Sequence, residues 1–153
     1  MAAGGDAQVN GAVALNMIAQ AEPGLAGRVA EEPGALLALV AAMKAGSGAA
    51  MNATSVMFTL TNAEPGLARR VGETPGVLPA LVAAVAAGGD GGFKCAVALY
   101  MIAMTGPGLA RRVAGVPRAV KTLVAAVAAG GDRATCGAMA LQAIAEAELA
   151  LAR

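Results

Sequence analysis

Few side chains in this 153-residue chain can do chemistry, and they do not converge on a reaction. There is no histidine, which removes the commonest general base and the commonest metal ligand. The only serines are Ser47 and Ser55, and no base can be assigned to either. Cys95 and Cys136 are the only thiols. Two thiols alone do not make a zinc site, and without a visible secretory signal they read as free and reduced. The run Gly88-Gly89-Asp90-Gly91-Gly92 lacks the lysine and the preceding strand that a phosphate loop needs. Asn52-Ala53-Thr54 matches a glycosylation acceptor but falls inside a predicted helix, so it reads as chance. No catalytic, metal-binding or cofactor-binding residue is assigned. The chain reads as a non-enzyme that needs no cofactor.

The charged groups are ordered by a period instead. Pro65-Gly66-Leu67-Ala68-Arg69-Arg70-Val71 recurs 42 residues later as Pro107-Gly108-Leu109-Ala110-Arg111-Arg112-Val113. Pro23-Gly24-Leu25-Ala26-Gly27-Arg28-Val29 is a looser copy. A second proline keeps the same period at Pro33, Pro75 and Pro117. Arg28, Arg70 and Arg112 therefore occupy one position, and Arg69 and Arg111 another. Together they form a candidate basic ladder. Arg70 and Glu73, three apart, are expected to pair.

Each unit divides into three helices. In the middle copy the first helix starts at Pro65, where the missing N–H costs nothing, and ends near Gly72. The second starts at Pro75 and stops at Gly88-Gly89, with Pro79 tolerated in its first turn. The third starts at Asp90, read as its cap, and ends at Gly106-Pro107. Asp6 and Asp132 hold the same position in other copies, so capping accounts for all three aspartates. Gly4-Gly5 and Gly46-Ser47-Gly48 are the equivalent breaks.

Composition fits packed helices. The chain is 58% hydrophobic and only 2% aromatic, and alanine supplies much of the apolar count. Net charge is +1, −2 over residues 1–77 and +3 over 78–153, so no global field points to nucleic acid. In the most basic stretch, 91–133, Phe93 and Tyr100 lie ahead of the arginines and do not interleave with them in the way single-strand binding uses. Mean hydropathy is high, +0.66. Yet the longest charge-free run, Ala45–Ala63, is studded with Ser, Asn and Thr, and Val77–Ala87 is too short to span a membrane.

The second-helix text, Gly76-Val77-Leu78-Pro79-Ala80-Leu81-Val82 and Gly34-Ala35-Leu36-Leu37-Ala38-Leu39-Val40, resembles armadillo repeats. So do the third helices, Ala12–Ala19 and Ala96–Ala103. The resemblance covers nearly the whole chain. It implies an all-α, right-handed superhelical solenoid of about three 42-residue, three-helix units and about ten helices. Residues 1–153 would be one domain, with a partial unit at 1–22 and full units at 23–64, 65–106 and 107–153. The array would open on a third helix at about 6–21 and close on a helix running unbroken from Asp132 to about Ala152. That last helix reads as an end cap. The first reads as a cut edge, with Val13, Leu15 and Ile18 uncovered and available for docking.

In the family the third helices line a concave groove. The resemblance therefore implies a partner groove at Val13, Met17, Met51, Ser55, Thr59, Phe93, Val97, Met101 and Met139, flanked by Val9, Thr135 and Ala143. Members that bind extended peptides carry a tryptophan and, four residues later, an asparagine on each third helix. Here Val13, Ser55, Val97 and Met139 stand at the first place, and Met17, Thr59, Met101 and Ala143 at the second, which argues against that mode. Methionine adapts to varied partners.

The expectation is a cytoplasmic scaffold for a protein or peptide, self-associating or joining a larger complex through its N-terminal edge. The alternative is a structural subunit docked by the ends of the array. RNA binding through the arginine ladder is the weakest reading.

Overall fold

A computed structural model describes the backbone of residues 2–32 and 34–153, and side chains from Asn10 onward apart from those of Pro23, Pro33 and Ser47. Pro33 and the side chains of Asp6 and Val9, to which the sequence gives a helix start, a cap and a groove position, lie outside the described residues.

Ten α-helices and no strand make up the described chain. They are α1 (Ala2–Ala21), α2 (Pro23–Glu31), α3 (Ala35–Ala45), α4 (Ser47–Ala63), α5 (Pro65–Glu73), α6 (Val77–Ala87), α7 (Gly89–Met104), α8 (Pro107–Gly115), α9 (Ala119–Ala129) and α10 (Gly131–Leu151). Pro23, Pro65 and Pro107 open α2, α5 and α8. All three of these helices are 9 residues long. The last helix runs unbroken, as its missing Pro-Gly signal predicts. The first does not wait for Asp6: Gly4 and Gly5 lie inside α1.

Single glycines join the second helices to the third. Gly46, Gly88 and Gly130 each end one helix and cap the next, at φ near +80° with ψ close to 180°. That conformation is essentially restricted to glycine. It also corrects the capping assignment. Asp90 and Asp132 are not N-caps but second helical residues, and no side-chain cap hydrogen bond forms in α7 or α10. Their carboxylates still lie at the positive end of the helix, worth about 0.5 kcal/mol each.

The second helices start from a left-handed residue, which is Gly34 in α3 and Gly76 in α6. In α9 it is Arg118, at φ 68°, the one described non-glycine with positive φ. A side chain there costs about 1 kcal/mol.

Helices three apart in the chain lie against each other. α1 packs on α4, α4 on α7 and α7 on α10, while α3 packs on α6 and α6 on α9. The core follows this succession. Val56, Met57 and Leu60 of α4 and Leu99 and Ile102 of α7 are fully enclosed. Alanines fill the contacts between them, among them Ala53, Ala96 and Ala98. At Gly72 of α5 an added Cβ would come within 2.5 Å of Ile102 Cγ2, so a side chain there would displace Ile102 of α7.

Truncating Leu99 to alanine is expected to cost about 3 kcal/mol, since the fully enclosed side chain leaves a cavity behind. Chemical denaturation followed by circular dichroism measures it, and a loss below about 1 kcal/mol would mean that α7 is not at the centre of the core.

Candidate functional site

The third-helix face is laid out by α1, α4, α7 and α10. Met17 and Met51 stand out from it, each 67% exposed, and Met139 is exposed on α10. Val13, Thr59, Phe93, Val97 and Met101 are half-buried. Ser55 departs from the expectation. It is only 7% exposed, and its Oγ accepts a hydrogen bond from Lys94 Nζ at 3.1 Å. A partner cannot reach it, so it is removed from the candidate groove. Ala143, at a flanking position, is buried as well.

Two polar links cross this face. Lys94 of α7 reaches Ser55 of α4 and also pairs with Asp90 at 3.1 Å. Asn16 Nδ2 of α1 donates to Asn52 Oδ1 of α4 at 3.4 Å, and Asn52 Nδ2 donates to the Gly48 carbonyl at 2.9 Å. Sequence reasoning missed both links. Their members are 36 and 39 residues apart, off the 42-residue register, so the repeat gives no sign of them.

The arginine ladder is exposed throughout, at Arg28, Arg69, Arg70, Arg111 and Arg112. Its pairing differs from the expectation. Glu73 pairs with Arg69 at 3.4 Å, not with Arg70, because four residues bring the side chains together on one helix face better than three do here. Arg111 pairs with Glu148 of α10 at 3.2 Å. Both pairs are solvated and contribute little to stability.

Among the described residues, exposed apolar side chains occur at both ends. Leu15 packs against the core and Val13 is half-buried, which leaves Ile18 as the exposed apolar member of that edge. The last helices of the second and third kind, α9 and α10, also expose apolar side chains. Val120, Val124 and Val127 line one side of α9, and Leu149 and Leu151 stand out from α10. The residues 42 positions before the three valines, Leu78, Val82 and Val85 of α6, are all buried. α9 packs on α6.

Between α3, α4, α6 and α7 opens a cavity of ≈ 540 Å³, lined by Met43, Met51, Ala80 and Ala84 with Lys44 at its border. No cluster of three potential metal ligands occurs among the described residues, and no described helix is long and apolar enough to cross a membrane. No family model matches the chain, and neither a curated protein nor a solved structure does.

Burial pushes the Cys95 thiol up to about 12, opposed in part by a hydrogen bond from Thr54. Cys136 is also raised, first by burial and then by the Asp132 carboxylate. Neither is poised as a thiolate nucleophile.

Because Cys95 ionises more readily in the unfolded chain than in the folded one, its contribution to stability is complete below pH 9. It falls as pH rises from 9 toward 12. Replacing Cys95 with alanine is expected to flatten that alkaline decline in denaturation midpoints. An unchanged decline would show that the thiol is not held neutral.

Proposed function

We propose that this chain is a non-enzymatic protein-interaction scaffold, built as a right-handed solenoid of armadillo-like units. The 42-residue sequence period and the packing of helices three apart support that architecture. Non-catalytic binding is favoured because the chain lacks histidine and its thiols are held neutral.

The observation that carries the reading is the pair of exposed methionines, Met17 on α1 and Met51 on α4, with the apolar cavity bordering Met51. An exposed methionine beside an apolar recess suits a hydrophobic side chain of a partner segment, because its flexible thioether can repack around different shapes. The partner class is a protein or peptide presenting an apolar strip. Self-association and recruitment to a larger complex use the same surface chemistry.

The arginine ladder supports RNA binding less well, since Arg69 and Arg111 are already tied to carboxylates.

A second reading has its own observation. The valine stripe of α9 repeats, in exposed form, positions that are buried in α6. A chain docked there by its end would be a structural subunit of a larger assembly. Native mass separates the two readings. For the end-docked subunit, Val124→Glu is expected to release a smaller species from a larger one, whereas an unchanged monomer for both proteins counts against it.

For the scaffold reading, partners retained on the immobilised chain are expected to be lost at least tenfold with Met17→Glu and Met51→Glu, at unchanged circular dichroism. Equal retention by the variants would overturn it.

A further inference from the structure

We infer that the cleft between α6 and α9, closed at one end by α10, is a binding site for a phosphate group. This stands apart from the scaffold reading and rests on different residues. The cleft encloses ≈ 260 Å³. Three cations line it: Arg118, Lys121 and Arg133. Its floor is apolar, from Val85, Ala86 and Ala126. Among the described residues no carboxylate lies within ion-pair distance of any of the three cations.

Their placement runs against helix electrostatics. Arg118 is the N-cap of α9, and Lys121 lies in the first turn of that helix. Arg133 lies in the first turn of α10. It also packs over Gly88, the N-cap of α7, where an added Cβ would come within 2.6 Å of Arg133 Nη1. Helix N-termini carry partial positive charge and favour anions, so each of these cations sits at the disfavoured end. Asp132 in the first turn of α10 is the one acidic residue nearby in sequence, and it pairs with none of them. Guanidinium and ammonium groups gathered on the lining of one cleft are the chemistry of a phosphate site.

The repeat supplies an internal control. Positions 42 and 84 residues before Arg118 are Gly76 and Gly34. Those before Lys121 are Pro79 and Leu37, and those before Arg133 are Gly91 and Ala49. The three cations thus occur together in one copy and singly in none. The cleft one unit earlier is the apolar cavity lined by Met43, Ala80, Ala84 and Gly91, the counterparts of Val85, Thr122, Ala126 and Arg133. Arg118, moreover, accepts the left-handed backbone that the other copies give to glycine. Strain of this kind persists where a side chain is needed in place.

The volume falls below the ~300–1,000 Å³ of pockets for drug-sized ligands. It suits a phosphate group and the few atoms that carry it. A free anion and the phosphorylated side chain of a peptide both present that group, and they differ only in the carrier.

The test is a titration of the full ¹⁵N-labelled chain with inorganic phosphate and with O-phospho-L-serine, at ionic strength held constant with chloride. Saturable shifts are expected at the amides of residues 118–121 and 133. Arg118→Gly is expected to weaken binding at least tenfold while raising the thermal midpoint by roughly 2–4 °C, because it removes the left-handed strain. A loss of binding in a more stable protein cannot come from misfolding. Tighter binding of O-phospho-L-serine assigns the carrier to a side chain, and equal binding assigns the free anion. Shifts that do not saturate, shifts reproduced by chloride alone, or full binding by Arg118→Gly would overturn the inference.

Discussion

Burial of α4 and α7 between their neighbours is the interaction on which the rest of the molecule depends. Val56, Met57 and Leu60 on one and Leu99 and Ile102 on the other are closed off completely. Each of these helices touches a helix three earlier and a helix three later. No helix of this length and alanine content is stable alone in water, because propensity without a buried face leaves it marginal. The chain has almost no aromatic side chains to enlarge the contacts. It compensates with close approach, shown by alanine-filled interfaces and by the glycine at position 72, where an added Cβ would displace Ile102. What this packing leaves uncovered is the outer line of the third helices and one side of α9.

That packing also explains where polar groups are placed. Ser55 is enclosed because α7 lies across it, and Lys94 answers its hydroxyl from the facing helix. Thr61, fully buried on α4, donates to the carbonyls of its own helix at Met57 and Phe58, so its hydroxyl needs no partner from another element. Cys95 is likewise turned into the core and held neutral. These groups belong to the stacking of α4 on α7. Arg118, Lys121 and Arg133, at the starts of α9 and α10, lie outside that stacking.

Much of the helical layout was legible in the sequence because proline and glycine punctuate it for backbone reasons. Pro23, Pro65 and Pro107 each open a helix, and Gly46, Gly88 and Gly130 each join two at one residue. Reading Asp90 and Asp132 as caps failed because the junction glycine already fills the cap position. The candidate surface was less legible. Which of Met17, Ser55 and Met101 reaches solvent depends on the lateral stagger of neighbouring helices, and a period along the chain does not encode stagger. The exposed valines of α9 were hidden for a different reason: they carry the text of a face that is buried in α6. Arg118 could have been found, since it breaks a Pro-Gly pair kept at Pro75-Gly76.

The solenoid proposed above would be nearly one-dimensional, with each unit stabilised only by those beside it. Amide hydrogen exchange of the native chain measures that directly. Protection is expected to be greatest in α4 and α7 and to fall toward α1 and α2 on one side and toward α9 on the other. Exchange of all ten helices with one common opening free energy would contradict a stack of neighbouring units and, with it, the surfaces derived from one.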